Sequence, residues 1–593
     1  MAEKRGRPVD PDSQYRMKVH RNGAHMYAST QPGVMDAGTG KKKYQRVHWG
    51  RLTEEMRFIP NERFLLLPPE ERARFIYPES WDLSEVKRLP SHRSAGRPAY
   101  LEADRDRLYG HVWLMEQIAA KVGLLKDLET VFDGNREKAL DVLSLAMYAY
   151  LTQQAYSHMG EWQEVMRFPA VHRLTPPAIT TITQSITEQN RMDLFRCRKA
   201  RLGAHCLCAL DSTTRSSEGS VLSDVRFGKS KDGGYRKQTT EVVVYSLDTH
   251  EPIYYRTFPG NMNDSRSLRI ILQDLRHAGL NDVVLVTDRG YECVRNIDRC
   301  IVAGQSLVTA AKVRQKAVLT RIREIDDPDA FVPDGMTWLP EEQVYARQYE
   351  LTRTLKGRGG CPIQSKKLRL NLYLDPQQRS AGRVALLDEL SAQEHELRQL
   401  KAAGTPVSDE DLKNFDLYQV TRNSETQTVE AFERCEQKIQ KASETLGFFA
   451  NMTIGVDYTA EEALCIYHRR DEQEKYFYDM KTRLHADRQH NWSETGMRGV
   501  RFIEFVALIM VSYIKYVWAA SKELRRLFPY AYAILVEMRT IHCIEHTGKT
   551  KVVTPFIGKQ LDVCKAFGLE VPADCAPVYI AAPTSGENSE IQE

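Results

Sequence analysis

No Cys-x-x-Cys pair occurs among the eleven cysteines of this 593-residue chain, and their spacing is irregular. That pattern supports neither a disulfide framework nor a cysteine-rich metal module. No secretory signal is visible at the start, so the thiols are expected to be reduced, as in a cytosolic protein. Cys206 and Cys208 alternate within an apolar run, as strand positions facing one side do. A strong charge of one sign is also missing: the formal net charge is only +4, too small to imply a nucleic-acid partner. No clean membrane-length apolar run is present either. The longest, Phe502 to Ala520, contains Glu504 and Lys515 and reads as a buried helix, so no membrane association is expected. With 42% hydrophobic and 27% charged residues the composition is that of an ordinary soluble protein. The length exceeds what one core can hold and suggests roughly three to five domains.

What is present is unevenly distributed. Residues 1–51 hold eleven Lys or Arg against four acids, a local charge of +7. Such an arm suits phosphate binding, and it equally suits a solvated tail. Arg5-Gly6-Arg7-Pro8 can lie in a narrow minor groove, because glycine permits close approach and both arginines can point inward. Arg5 and Arg7 are therefore candidate DNA-binding residues, with a disordered tail as the alternative. Tyr15–His20 and Ala24–Ser29 flank Arg21-Asn22-Gly23, a hairpin signal, and Tyr44–Gly50 reads as a third strand. Residues 60–98, rich in Pro and charge, read as a linker. From about Arg105 to Leu202 the pattern turns helical: Leu114, Ile118, Val122, Leu125 and Leu128 recur at near-helical spacing, and Thr175 is placed to cap the helix opened by Pro176-Pro177. A DNA-reading helix-turn-helix and a plain helical bundle both fit this stretch.

The clearest pattern follows. His205–Leu210 is an apolar strand ending in Asp211. Glu241–Leu247 and Pro252–Phe258 form a hairpin, Asp264–Ala278 a helix, Asp282–Thr287 a strand ending in Asp288, Tyr291–Val302 a helix and Ser306–Val313 a strand. This order is that of a ribonuclease-H-like α/β fold with a mixed sheet covered on both faces. Residues 314–455 lose the regularity and read as a large insertion, with a charged amphipathic run from Leu386 to Leu400 suggesting a helical hairpin. Residues 459–485 then read as one long helix and Phe502–Ala520 as another.

In such a sheet the strands ending in Asp211 and Asp288 are parallel neighbours, so the two carboxylates meet and need a cation between them. Carboxylate oxygens suit Mg²⁺ or Mn²⁺. A third acid is needed to hold two ions about 3.5–4 Å apart for phosphoryl displacement. On one continuous helix Tyr467, Arg470, Glu474 and Lys481 fall near 0°, 300°, 340° and 320°, a stripe about 60° wide, while Glu472 falls about 140° away. Glu474 is the candidate third ligand, and Arg470, Lys481 and Tyr467 are placed to grip DNA backbone. A charged solvent face with an Arg470–Glu474 pair is the plainer alternative.

Tyr-x2-Arg-x3-Glu-x6-Lys, read at Tyr467, Arg470, Glu474 and Lys481, resembles the signature of one large group of bacterial insertion-sequence transposases of the DDE class. Four fixed positions should match by chance in fewer than about 1 in 100 chains this long. Leu210-Asp211-Ser212-Thr213-Thr214, Gly260-Asn261-Met262-Asn263-Asp264-Ser265 and Val286-Thr287-Asp288-Arg289-Gly290-Tyr291 are similar to that group's core segments. The resemblance implies a ribonuclease-H-like catalytic core in which Asp211, Asp288 and Glu474 are both catalytic residues and ligands of two Mg²⁺ or Mn²⁺ ions. It further implies binding of terminal inverted repeats, strand cleavage, transfer to target DNA, and a homodimer in the DNA complex, in the bacterial cytoplasm and on the nucleoid when DNA-bound. The insertion would grip the transposon end, with Trp338 its candidate stacking residue and a buried Trp the alternative. The expected division is 1–98 basic β-rich region and linker, 99–203 helical region, 204–313 first part of the core, 314–455 insertion, 456–520 glutamate helix and following helix, and 521–593 C-terminal region and tail. Two rivals share the residues: another ribonuclease-H-fold nuclease, and a non-cutting DNA-binding regulator derived from a transposase.

Overall fold

Three separated stretches of chain build one compact unit, Met1–Leu114 with Glu161–Phe168 and Ser521–Glu593, and Met115–Gly160 with Pro169–Ala520 builds a second. The computed structural model describes residues 15–23, 25–35, 42–87, 104–219, 222–356, 362–484, 488–489, 493–546 and 551–575. Arg5 and Arg7 lie outside the described residues.

In the first unit, strands Lys18–Asn22, His25–Thr30, Val47–Leu52 and Phe58–Pro60 form a four-stranded antiparallel sheet in that order. The stretch expected to be a linker folds onto this sheet as far as residue 87. Phe64, Phe75 and Trp81 are buried with Met17, Trp49 and Phe58, and Trp49 meets Phe75 edge-on at 5.0 Å. Proline and charge in that stretch mask three large aromatic side chains, whose burial is worth more than the local signal suggests. A second small sheet pairs Asp104–Leu108 with His542–His546, which in turn pairs Val552–Val553. Glu545 on its middle strand receives both Arg107 and Arg167.

The second unit holds the ribonuclease-H-like core. Among the helices that precede its sheet are α1 (Arg136–Thr152), α2 (Pro176–Gln184) and α3 (Glu188–Lys199). Thr175 stands at the N-cap of α2, without a side-chain cap hydrogen bond. The sheet follows, with β1 (Leu207–Ser217), β2 (Arg226–Lys229), β3 (Tyr235–Ser246), β4 (Glu251–Pro259), α4 (Asp264–His277), β5 (Val284–Thr287), α5 (Val294–Ala303) and β6 (Ser306–Ala311). The stretch read as an insertion contributes β7 (Thr337–Leu339), β8 (Val344–Lys356), β9 (Pro362–Leu374), α6 (Pro376–Ala403), β10 (Tyr418–Arg422), β11 (Val429–Arg434) and β12 (Phe448–Ile454). Then come α7 (Ala460–His468), α8 (Asp471–Thr482) and α9 (Glu494–Ala520).

An 11-stranded mixed sheet runs in the order β4-β3-β1-β5-β6-β12-β9-β8-β7, with β2 on β3 and Arg488–Gln489 on β1. β1, β5 and β6 are parallel; β3 and β4 are antiparallel to their neighbours. Four strands of the expected insertion therefore extend the core sheet, because the edge of β6 is free to take β12 in antiparallel register from Leu307↔Ile454 to Ala311↔Ala450. The expected helical hairpin is instead the single helix α6. Asp375 caps it by accepting from the Gln377 and Gln378 N–H groups, no glycine or proline occurs after its first turn except Gly382, and Gly404 ends it at φ +60°. Its Leu390 and Leu397 pack on the β10–β11 hairpin.

α9 is the one helix among the described residues long and apolar enough to cross a membrane, and 72% of its apolar window is buried inside the protein. Phe505 lies 4.8 Å from Tyr255 of β4 and 5.7 Å from Phe195 of α3. Gly499 lets it press on α2, where an added Cβ would stand 2.0 Å from the Thr183 carbonyl oxygen.

Candidate active site

The expected strand ending in Asp211 runs on to Ser217. β3 continues to pair with it from Gln238↔Ser216 to Ser246↔Cys208, whereas the parallel partner β5 stops at Thr287. Thr287 is in register with Leu210, so one more step sets Asp288 beside Asp211 at the point where β5 leaves the sheet. Side chains of β1 alternate, as a pleated strand requires. Asp211 and Arg215 face α8 and α9, while Ser212 and Thr214 face α4 and the β2–β3 turn.

Three acidic and two basic groups converge on this point. Arg470 Nη1 lies 3.5 Å from Asp211 Oδ2, and its Nη2 lies 3.4 Å from Glu474 Oε1. From the other side Lys231 Nζ sits 3.7 Å from Asp211 Oδ1 and 3.0 Å from Asp264 Oδ2. The Ser212 hydroxyl donates to Asp264 Oδ1 at 2.5 Å, and the Ser212 N–H donates to Asp211 Oδ1 at 2.7 Å. Burial raises the Asp211 carboxyl above its ordinary pKa, with Lys231, the Ser212 N–H and Arg470 working against the shift and Asp264 adding to it. For Lys231 burial works against the charge, but Asp264, Asp211 and Asp288 outweigh it and raise its pKa. Arg470 is likewise raised: burial opposes its charge, and Tyr467, Asp211, Asp288 and Glu474 outweigh that. Burial is also the main reason the Tyr467 phenol is raised.

The glutamate-bearing segment departs from the expectation of one helix over 459–485. α7 stops at His468 and α8 starts at Asp471. Across the junction the backbone makes tight i→i−3 bonds, Arg470 N to Tyr467 O at 3.2 Å and Gln473 N to Arg470 O at 2.9 Å. A 3₁₀-type step turns faster than an α-helix, so the angular stripe computed for a continuous helix does not hold. The turn Leu247–His250 holds the junction. Arg469 reaches the Leu247 carbonyl and lies 3.5 Å from Asp248, and Glu472 accepts from His250 Nδ1 at 2.7 Å. Tyr467 and Arg470 stay close, with the guanidinium 5.6 Å from the ring centroid. Among the described residues Glu474 keeps only the Arg470 contact, with 60% of its side chain exposed. Lys481 pairs with Asp232 of the β2–β3 turn at 2.6 Å. Trp338 is neither buried nor near these residues' contacts: it is 41% exposed on β7, its ring 4.9 Å from Tyr345.

Lys231, Asp264 and Ser212 are the neighbours that sequence reasoning did not single out. Asp264 and Ser212 stand inside segments already recognised as core-like, and Lys231-Asp232-Gly233-Gly234 is a turn signal between two runs that form β2 and the start of β3.

Below Asp211 on the same strand, Arg215 is fully buried. It donates to Glu504 of α9 at 2.6 Å and to Glu241 of β3 at 2.8 Å, and it meets the Met480 sulfur of α8 at 3.0 Å. Arg501 lies 3.3 Å from Glu241. Burial pushes the Glu241 carboxyl up to about 7 against the pull of Arg215, and raises Glu504 as well.

Asp211, Asp264, Asp288 and Glu474 offer oxygen donors alone, the set that hard divalent cations prefer. Among the described residues no three His, Cys, Asp or Glu side chains are drawn together closely enough to enclose an ion, and Lys231 and Arg470 supply the positive charge against Asp211.

Aspartates at the ends of adjoining parallel strands of a ribonuclease-H-like sheet define a class of fold with a carboxylate site. The chain belongs to the DDE transposase family: the family described as "Transposase DDE domain" matches residues 202–508, slightly over half of the chain. That family is generally dependent on divalent metal. Among solved structures, the chain is similar to piggyBac transposase in a synaptic complex with hairpin DNA, with 9% identity, a TM-score of 0.31, and 77% of this chain and 79% of that chain covered. It is also similar to Mos1 transposase in a paired-end complex with the left transposon end, with 17% identity, a TM-score of 0.13, and coverage of 31% of this chain and 57% of that one. No curated protein sequence matches the chain.

Proposed function

We propose that this DDE transposase is the enzyme of a bacterial insertion sequence, binding the element's terminal inverted repeats, cutting at their ends and joining the freed strands to target DNA. The observation that carries this is the register of β1 and β5, in which Asp211 and Asp288 each follow the paired residues Leu210 and Thr287, together with Arg470, which lies against both Asp211 and Glu474. Asp211, Asp288 and Glu474 would hold two Mg²⁺ or Mn²⁺ ions, which when bound activate the attacking oxygen and stabilise the leaving one. Arg470 has a planar fork suited to a phosphate. Tyr467, whose phenol burial raises above its ordinary pKa, would donate to the DNA backbone. Lys481 reaches a neighbouring phosphate, exchanging Asp232 for it. Two such chains, each holding one end, would make the active complex, in the cytoplasm on nucleoid DNA.

The test mixes the full chain with Mg²⁺ and DNA carrying the inverted repeats that flank its own gene. Wild type should nick at the repeat boundary, whereas Asp288→Ala and Glu474→Ala should bind the same DNA and lose cutting by at least about 10³-fold, the scale of removing a transition-state-stabilising group. Normal cutting by Asp288→Ala would overturn the assignment of the site. Tight binding without cutting by wild type would favour the regulator reading.

A further inference from the structure

The β2–β3 hairpin has one side turned inward and one outward. Inward, Gly228 packs so closely on the chain that an added Cβ would stand 2.2 Å from the Gly260 carbonyl oxygen. Gln238 is buried there, its amide donating to the carbonyls of Lys229 and Gly260 at 3.0 Å each. The register Tyr235↔Lys229 and Lys237↔Phe227 sends those four side chains to the outer side, since directly paired residues share a face. They form a two-by-two pattern, the rings on one diagonal and the lysines on the other. The Phe227 and Tyr235 rings are parallel to within 19° at 6.1 Å, and the residues are 65% and 68% exposed. Among the described residues neither lysine has an ion-pair partner.

This patch adjoins the carboxylate site. The turn joining β2 to β3 is fixed by Ser230 N–H donating to Gly234 O at 2.9 Å and by the Lys231 N–H donating to Thr214 Oγ1 at 3.2 Å. Its Lys231 ammonium then extends to Asp264 and Asp211. A strand of DNA leaving those carboxylates along the hairpin would therefore meet Lys229, Tyr235, Phe227 and Lys237 next.

We infer that this outer face binds a single-stranded stretch of the DNA entering the Asp211–Asp288 site, with Phe227 and Tyr235 stacking on unpaired bases and Lys229 and Lys237 holding the phosphates between them. The inference rests on the reading of Asp211 and Asp288 as the strand-cutting site. Charge complementarity alone would suit any DNA, but exposed ring faces select bases that have lost their stacking neighbours. A duplex hides its base faces and would be met by the lysines only.

The full chain is titrated with fluorescent oligothymidine and with a blunt duplex of equal length, each followed by anisotropy. The double variant Phe227→Ala/Tyr235→Ala should lose about tenfold or more in oligothymidine affinity. Its duplex affinity should change by less than about twofold, because phosphate contacts dominate there. Phe227→Trp/Tyr235→Trp should keep the single-strand affinity, which separates stacking from any loss of folding. Lys229→Gln/Lys237→Gln should reduce the salt slope for oligothymidine by about 1.4, two phosphates' worth. Unchanged oligothymidine affinity in the alanine pair, or an equal loss on the duplex, would overturn the inference while Asp288→Asn still abolishes cutting. Cutting by Asp288→Asn would instead sink the site reading, and with it the strand's path into that site, whatever the oligothymidine result.

Discussion

Lys231 shows how much of this site is decided by a single side chain. Its ammonium lies between Asp264 and Asp211, the position from which it neutralises both. Two unit charges about 4 Å apart near a protein surface interact by about 4 kcal/mol. Removing that charge should therefore make the carboxylates more attractive to a divalent cation. Lys231→Met is expected to bind Mn²⁺ at least about tenfold more tightly than wild type in the absence of DNA, a change of about 1.4 kcal/mol. Calorimetric titration measures it, and equal or weaker binding would mean that Lys231 does not compete for the carboxylates. Arg470 differs in kind. Its two arms divide between Asp211 and Glu474, so it couples the glutamate of α8 to the aspartate of β1.

At the scale of elements, β1, β3, α8 and α9 are joined below the site by Arg215, Glu241, Glu504, Arg501 and Met480. Breaking a buried ion network by deleting one member leaves uncompensated charge and typically costs about 3–5 kcal/mol. Arg215→Leu should lower unfolding stability by that order, read from the urea midpoint at constant slope. The pH dependence has a definite sign. Glu241 is raised by burial to about 7 in the folded protein, above its unfolded value of about 4.5. Its contribution to stability is complete below about 4.5 and is lost as pH rises through about 7. In Arg215→Leu the two carboxyls, left with Arg501 alone, should rise further, so acidification should restore part of the lost stability. A deficit that is unchanged between pH 5 and pH 8 would show that the carboxyls do not respond to Arg215. The junction of α7 and α8 is a second meeting of elements: the Leu247–His250 turn contacts Arg469 and Glu472, which flank Arg470.

Across the whole molecule, the early and late parts of the chain share one unit. Asp104–Leu108 owes its partner strand to His542–His546, and Arg107 and Arg167 share Glu545. Removing Ser521–Glu593 should therefore expose the backbone of residues 104–108 and speed its proteolysis, leaving the core from Leu207 to Ala520 resistant. Limited digestion followed by mass spectrometry reads this out. A truncated chain cut no faster at 104–108 would show that the late segment is not needed to hold that strand.

Short-range patterning carried the core. Apolar runs of four to six residues ending in aspartate, separated by helices with one apolar side, announced β1, β5, α4 and their order, because burial on a sheet demands those side chains locally. The Tyr467–Lys481 spacing predicted one continuous helix, which the structure breaks between His468 and Asp471. Tertiary structure decided the rest, since the identity of a hydrogen-bonding or ion-pair partner is not a local property. β1 runs past Asp211 because β3 is long enough to pair with it, and the edge of β6 recruits strands from the stretch read as an insertion. Nothing in Arg469-Arg470 opposes a continuous helix; the contacts with Leu247–His250 accompany a tight turn there. Asp264 and Lys231 meet Asp211 from distant places in the chain, and only the folded sheet brings their charges within ångströms, where Coulomb forces become strong enough to matter.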